Sequence, residues 1–268
     1  MSVCSVISVD EFERDPRFRK ILGDMHALMG VPDHPLGRHC KTGHGRLRRA
    51  EIEGGKHFEY PWAVVHGDFQ PGMRVLDAGC GRGVLQYYLA RMGCRVSGCD
   101  LDGFRSRKLL RIHRLLHRLG IAPAPDLTSR LRKNARYFGI EVDYHIEPMQ
   151  ALSWPDAAFD RVYSISVLEH IQPLDEQKRA VEQLARVLKP GGKMILTLDY
   201  AEKTAGRESV PGLFQPADVE RVIGWSGLRP VEPPVYDSGG WADYLIKLAQ
   251  FFDVPSGSYS VFTLVLQK

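Results

Sequence analysis

A glycine-dense turn between two acidic strand ends is the part of this sequence best suited to chemistry. Asp77 closes a short apolar run, Gly79, Gly81 and Gly83 follow it, and Asp100 closes the next apolar run. Glycines let the backbone take positive φ and approach a ligand closely. An acid at the tip of the second strand can accept both hydroxyls of a ribose. The spacing therefore predicts a nucleoside-containing ligand at the carboxyl ends of two parallel strands.

The glycine spacing also indicates which nucleoside ligand to expect. A dinucleotide fingerprint has the form G-x-G-x-x-G/A, whereas Val84 stands where its last glycine or alanine would be. Such a turn suits the carboxypropyl end of S-adenosylmethionine (SAM) better than a diphosphate. Taken singly, the turn could close a tight loop and Asp100 could cap a helix, so the prediction depends on both occurring at the right distance.

Three segments resemble motifs of one family, the class I SAM-dependent methyltransferases. Residues 75–83 resemble its first motif, and residues 159–170 and 184–198 resemble its fourth-strand and fifth-strand segments in the same order. The resemblance covers residues 58–200 well. It implies an α/β, Rossmann-like methyltransferase fold, a mostly parallel seven-stranded sheet with helices on both faces. In that fold the seventh strand runs antiparallel between the fifth and the sixth.

The pattern of the chain adds expected elements and boundaries. A capping box at Ser8–Glu11 predicts a helix that runs to Gly30. Residues 1–57 are expected to be an N-terminal helix and loop extension acting as a cap or lid, and residues 58–268 the SAM-binding domain. The later elements are expected as a third strand at Val142–Ile146, a helix at 174–189, a helix from Pro216, strands at Val231–Tyr236 and Tyr259–Leu266, and a helix at Trp241–Phe252.

The resemblance implies cofactor contacts at ten positions of this sequence. Asp77 would orient the amino group of SAM, Asp100 would take the ribose and Leu101 would lie against the adenine. Pro148 stands where the family commonly has an adenine-binding Asp, so the adenine contact is expected to be altered and to use Met149 and its neighbours. The full set is Tyr60, Asp77, Gly79, Cys80, Gly81, Asp100, Leu101, Met149, Gln150 and Ser164.

Two residues just beyond the fourth strand are candidates for catalysis. Glu169 and His170 would face the transferred methyl group in this fold. A base is useful when an acceptor hydroxyl must lose its proton, and histidine suits neutral pH. The alternative is that this Glu-His pair packs the loop or caps a helix. The segment Glu59–Trp62 leaves two possibilities open, closure over SAM through Tyr60 or packing of the N-terminal helix onto the sheet.

An insertion at residues 103–140 is strongly basic. Ten Lys and Arg face the single acid Asp126 between Arg105 and Arg136. A solvated face is the usual meaning, and an anionic substrate, an acidic membrane surface or nucleic acid are the alternatives. The histidines and cysteine at His34, His39, Cys40 and His44 match no established zinc spacing, so no metal is expected.

The composition of the chain bears on whether it is a membrane, secreted or disulfide-rich protein. The chain has 268 residues, 44% hydrophobic and 25% charged, with a net charge of +4 and five cysteines. We expect no membrane span, no leader peptide, no disulfide framework and a cytoplasmic protein. The sequence predicts a SAM-dependent methyltransferase that acts on a small metabolite or sugar, favouring oxygen. Alternatives are N- or C-methylation, an RNA methyltransferase, a nicotinamide-dependent oxidoreductase or a non-catalytic SAM-binding protein; nucleic acid is not the expected partner.

Overall fold

A central β-sheet positions the acidic strand ends and the glycine turn. The computed structural model describes residues 3–7, 9–29, 56–101, 115–116, 119–120, 135–136, 138–201, 212–236 and 260–268. Within these ranges the sheet has eight strands: β1 Ser5–Val6, β2 Arg74–Ala78, β3 Arg95–Asp100, β4 Val142–Ile146, β5 Phe159–Ile165, β6 Leu188–Tyr200, β7 Arg229–Pro230 and β8 Ser260–Gln267.

The strand order confirms the predicted topology of the sheet. The order is β1-β8-β6-β5-β2-β3-β4, and β7 also pairs with β8. Strands β2 to β6 are parallel to their neighbours, while β8 runs antiparallel to β6. The strand at Val142–Ile146 has the predicted bounds. Because the parallel strands share one direction, their carboxyl ends, including Asp77 and Asp100, meet at the same edge.

Helices cover both faces of the sheet, as predicted. They are α1 Val9–Arg14, α2 Pro16–Leu28, α3 Lys56–Gly67, α4 Leu85–Arg91, α5 Leu174–Val187 and α6 Pro216–Ser226. Helices α1 to α4 pack into the apolar core on one face, and α5 and α6 pack into the core on the other. Short 3-10 helices at Met149–Ala151 and Leu168–His170 follow β4 and β5.

The N-terminal helix is divided, contrary to the single helix predicted up to Gly30. Helix α1 ends at Arg14, and Asp15 caps α2 by accepting a hydrogen bond from the Arg17 N–H at 2.9 Å. Pro16 lacks the N–H that a continuous helix would need, but it fits the first turn of a new one. The aspartate–proline pair therefore starts a second helix where periodicity alone predicted continuity.

The prediction of a strand at Val231–Tyr236 is wrong. The observed strand is β7, Arg229–Pro230, and the Val231 N–H still donates to the Val265 carbonyl at 3.0 Å. Pro233 and Pro234 follow at once, and prolines cannot donate to a ladder. Both β7 and β1 pair with the same edge of β8. Strand β1 does so through Ser5 with Thr263 and through Val6 with Phe262. An N-terminal strand thus joins the sheet.

Several predicted features lie outside the described residues. These are the loop at 30–55, nearly all of the basic insertion, the histidines and cysteine considered for zinc, and the helix at Trp241–Phe252. The division at residue 57 stays a prediction. Within the described part of the chain, no helix is long and apolar enough to cross a membrane.

Candidate cofactor and acceptor site

The glycine turn and Asp100 form one hydrogen-bonded unit. The N–H groups of Gly79 and Cys80 donate to the Cys99 carbonyl at 2.9 and 3.0 Å. The Gly81 N–H donates to one carboxylate oxygen of Asp100 at 2.7 Å, and the Leu101 N–H donates to the other at 2.6 Å. These bonds lock the turn to the tip of β3 and hold the carboxylate in a fixed orientation.

The two positive-φ glycines of the turn meet different surroundings. Gly79 has φ 79°, and a Cβ built there would lie 2.6 Å from Val167 Cγ1. Gly81 has φ 45°, and a Cβ there would meet nothing within 4 Å. The loop after β5 therefore abuts Gly79, whereas Gly81 faces open space beside Asp100. A side chain at Gly81 would therefore meet no neighbouring atom at its Cβ, in contrast to one at Gly79.

Asp77 is a buried carboxyl group at the end of β2. Only 6% of the residue is exposed, and burial raises its pKa to about 8, with the charge of Asp100 adding to the rise. The buried Tyr163 hydroxyl faces it and partly offsets this rise in pKa. A carboxyl group held this far above its ordinary pKa is suited to a cationic ligand group, which would favour its ionised form.

Gln86 supports the turn from behind, and sequence reasoning missed it. Its buried side-chain amide donates to the carbonyls of Cys80 and Gly83 at 3.3 and 3.0 Å. Tyr60, on α3, lies on the other side, since a Cβ on Gly83 would be 2.4 Å from its hydroxyl oxygen. Tyr60 is therefore brought to the turn, as the prediction of a cofactor contact requires, although it is itself largely buried.

The remaining predicted cofactor residues lie around the same sheet edge. The Ser164 hydroxyl donates to the Ala78 carbonyl at 2.9 Å and lies 4.0 Å from the Met149 sulfur, so its side chain joins β5 to β2. Met149 is buried, Gln150 is partly exposed, and Leu101 is 60% exposed. No described contact decides whether any of them binds a cofactor, and these roles stay predictions.

Glu169 and His170 differ sharply in environment. His170 is exposed on the 3-10 helix Leu168–His170. Glu169 is buried, and burial together with the nearby Asp199 raises its pKa well above the usual range. The Asp199 N–H donates to Glu169 Oε1 at 3.4 Å. Burial and the charge of Glu59 also raise the pKa of Asp199, to about 6.

A polar network beside this pair was not predicted as part of the site. Glu59 Oε2 accepts hydrogen bonds from the Ser166 and Thr197 hydroxyls at 2.7 and 2.6 Å, and Lys56 Nζ lies 3.3 Å away. The sequence signals were Glu59, in the segment considered for closure over SAM, and Asp199, an acid near the end of an apolar strand like Asp77 and Asp100. Among the described residues, no group of three or more His, Cys, Asp or Glu could hold a metal ion.

Comparison with known proteins supports the class that the fold and the turn define. A family model described as "Methyltransferase domain" matches residues 102–196. A ubiquinone biosynthesis O-methyltransferase of Methylocella silvestris is 32% identical over 155 residues, covering 58% of this chain and 48% of the relative. One of the same name from Chelativorans sp. is 27% identical and covers 59% of each chain. The chain spans about half the length of the curated relatives it matches.

Solved structures show the same fold at low identity. The [4+2]-cyclase SpnF has a TM-score of 0.56 and 16% identity, covering 100% of this chain and 98% of its own. The YcgJ protein of Bacillus subtilis has a TM-score of 0.50 and 15% identity, covering 78% and 96%. The fold is thus a Rossmann-like sheet with helices on both faces. Over residues 102–196 the chain is similar to methyltransferases, and the curated relatives it resembles are O-methyltransferases.

Proposed function

We propose that this chain transfers a methyl group from SAM to a hydroxyl oxygen of a small metabolite. The observation that carries the proposal is the unit formed by the glycine turn, the buried Asp77 and the Asp100 carboxylate. The names of the relatives, which are O-methyltransferases of ubiquinone biosynthesis, support oxygen as the acceptor atom. The fold alone leaves the reaction open, because SpnF, with the same architecture, is a [4+2]-cyclase.

The residues present fit SAM at the sheet edge. Bound there, the cofactor supplies a methyl group on a sulfonium sulfur. We assign the ribose hydroxyls to Asp100 and the amino group to Asp77, with the backbone of Gly79, Cys80 and Gly81 along the methionine part. Ser164 and Tyr60 would flank that part, and Leu101, Met149 and Gln150 would surround the adenine.

The acceptor side of the site is proposed at the ends of β5 and β6. Glu169 and His170 follow β5, and Asp199 lies near the end of β6. Methyl transfer is an in-line displacement, so the protein's main task is to hold the acceptor oxygen in line and to exclude water. A base here would let a hydroxyl react at neutral pH.

Two measurements test this function. Calorimetry should detect binding of SAM and S-adenosylhomocysteine (SAH) and none of NAD. Methyl-labelled SAM incubated with a small-molecule extract of bacterial cells should yield a labelled product whose methyl group is on oxygen. SAH binding without any labelled product would favour a non-catalytic SAM-binding protein, and NAD binding without SAM binding would overturn the assignment. A labelled product with its methyl group on nitrogen or carbon would overturn only the assignment of oxygen as the acceptor atom, and the methyltransferase function would stand.

A further inference from the structure

A partly buried network of polar groups, which Asp199 joins through its backbone N–H, occupies the edge of the sheet beside the proposed cofactor position. It joins four elements: the first turn of α3, the residue after β5, the 3-10 helix that follows, and the end of β6. Its members, here called the acceptor network, are Lys56, Glu59, Ser166, Glu169, Thr197 and Asp199. Glu59, Glu169 and Thr197 are buried, and polar groups are costly to bury, so their concentration at this edge of the sheet calls for a role.

The acceptor network adjoins the glycine turn on two sides. Val167, next to Ser166, makes the close approach to Gly79. Tyr60, next to Glu59, places its hydroxyl at Gly83. Neighbouring residues on β5 and α3 thus contact the turn and the network at once. A substrate that reaches a methyl group held at the turn would approach the network along the carboxyl ends of β5 and β6.

Two features of the network are not explained by a role in holding the fold together. Glu169 is 3% exposed, and its Oε2 has no hydrogen-bond partner among the described residues. Ser166 holds φ 49°, a strained conformation for a residue with a Cβ. Its N–H bonds the Thr197 carbonyl at 3.0 Å, and its hydroxyl bonds Glu59. A buried carboxyl oxygen without a partner, beside strained backbone, points to a group that arrives from outside.

We propose that Asp199 is the base that takes the proton from the acceptor hydroxyl, with Glu169 and Glu59 as its positioning residues. The inference rests on the proposed function and deepens it. The hydroxyl O–H bond breaks and its proton moves to a carboxylate oxygen of Asp199. The oxygen forms the new bond to the methyl carbon while the carbon–sulfur bond breaks, and that electron pair stays on sulfur, which becomes neutral.

Surroundings favour Asp199 over the other candidates. His170 is exposed, whereas Asp199 is partly buried and packed against the network. The charged groups that face Asp199 are Glu59 and Lys56 from α3 and Glu169 from the 3-10 helix. Glu59 raises its pKa and Lys56 lowers it. The pKa of Glu169 is raised more strongly than that of Asp199, so Asp199 is the carboxyl group of the pair that ionises first as the pH rises.

The test is the pH dependence of methyl transfer in the full chain. The acceptor probe is a small-molecule extract of bacterial cells, with methyl-labelled SAM at saturation. Asp199→Asn should lower the initial rate by about 10²–10⁴-fold, and Asp199→Glu should restore part of it. SAH affinity by calorimetry should be unchanged in both variants, which verifies folding and an intact cofactor site.

Two further variants should move the acidic limb of the pH–rate profile in opposite directions. Glu59→Gln should shift it to lower pH, because a negative charge near Asp199 is removed. Lys56→Met should shift it to higher pH, because a positive charge is removed. A purely structural role predicts no such opposition. Carboxyl ¹³C NMR of the SAH complex should show the Asp199 titration moving with the same signs, independently of turnover.

The outcomes separate the inference from the function it rests on. If Asp199→Asn transfers methyl groups at the wild-type rate, Asp199 is not the base. The same conclusion follows if the acidic limb of the pH–rate profile is lost only in His170→Ala. Asp199 would also be overturned as the base if Glu59→Gln and Lys56→Met produced no opposite shifts in either the pH–rate profile or the NMR titration. No transfer by the wild-type chain to anything in the extract would overturn the proposed function, and the base with it.

Discussion

At the scale of single residues, the proposed cofactor site contains two carboxyl groups in different environments. Asp100 accepts the N–H groups of Gly81 and Leu101, which fix its position while further lone pairs remain for a ligand. Asp77 is buried, and the pKa of its carboxyl group is about 8. One group is therefore a preorganised acceptor, and the other responds to the charge of whatever binds beside it.

Replacing Asp100 by Ala should weaken SAH binding by ~1–3 kcal/mol, because ribose hydroxyls would lose their buried acceptor. That loss corresponds to about a 5- to 150-fold rise in Kd. Calorimetry measures it, and Asp100→Asn, which keeps one carbonyl oxygen, should lose less. An Ala variant that unfolds like the wild type yet binds SAH equally well would contradict the ribose role.

Asp77 should release a proton when SAM binds. At pH 7 the ligand-free carboxyl is mostly protonated, since its pKa is about 8, and the cationic amino group of SAM should lower that pKa. Calorimetry at pH 7 in buffers of different ionisation enthalpy measures the release. Methylthioadenosine, which lacks the cationic α-amino group of the methionine part, should release less, and the Asp77→Asn variant should release no such proton. Equal release with both ligands would count against the assignment.

The same raised pKa affects the stability of the ligand-free chain. Because the folded state holds the Asp77 proton more tightly than the unfolded state, this stabilising contribution is fully present below the ordinary value of 3.8. It is lost as the pH rises through about 8. Urea unfolding without ligand should therefore show a decline over that range which Asp77→Asn reduces.

At the scale of elements, two nearby glycines of the β2–α4 turn have different surroundings, so one is expected to matter for the stability of the fold and the other for cofactor binding. Gly79 packs against Val167, and Gly81 faces open space. The same substitution should therefore have different consequences at the two positions. This distinction follows from where β5 ends relative to β2, because Val167 belongs to the loop that leaves β5.

Gly81→Ala should lower the free energy of unfolding only by about 1 kcal/mol, the cost of left-handed backbone, while weakening SAH binding markedly. Gly79→Ala should cost more stability, since its Cβ would lie 2.6 Å from a Val167 methyl. Urea unfolding and SAH calorimetry on both variants give the comparison. Unimpaired SAH binding by Gly81→Ala would remove Gly81 from the cofactor site.

At the scale of the whole molecule, the first residues of the chain complete the far edge of the sheet. Thr263, on β8, donates its hydroxyl to the carbonyls of Val3 and Ser5 at 3.2 and 2.8 Å. Cys4 and Val6 are buried there. An uncovered β8 would present an unpaired edge of the kind that favours aggregation. This edge is three strands away from β2, so its stability is separable from cofactor binding.

Deleting residues 1–7 should lower the free energy of unfolding and promote aggregation, while SAH affinity in the remaining folded protein stays unchanged. Thr263→Val is the milder variant, expected to cost about 1 kcal/mol through loss of the one hydroxyl proton that the two carbonyls share. Urea unfolding and light scattering measure both effects. A deletion that leaves stability intact would show that β1 contributes little.

The sequence by itself determined the glycine turn between two acidic strand ends, where we propose that the cofactor binds, and the parallel core of the sheet. Asp77, the glycines and Asp100 lie within 24 consecutive residues. Their placement follows from a strand-turn-helix-strand pattern that brings carboxyl ends to one edge. Such a local pattern leaves little for distant parts of the chain to decide. The strand Val142–Ile146 was also predicted with its observed bounds.

Only the tertiary structure decided the acceptor network and the sheet's far edge. Glu59 meets Ser166 and Thr197 across 107 and 138 residues of chain, and Ser5 meets Thr263 across 258. No periodicity or spacing encodes such pairs, because they form where α3 happens to cross the ends of β5 and β6 and where an edge strand is free. Packing between distant segments, rather than local propensity, brings these groups into contact.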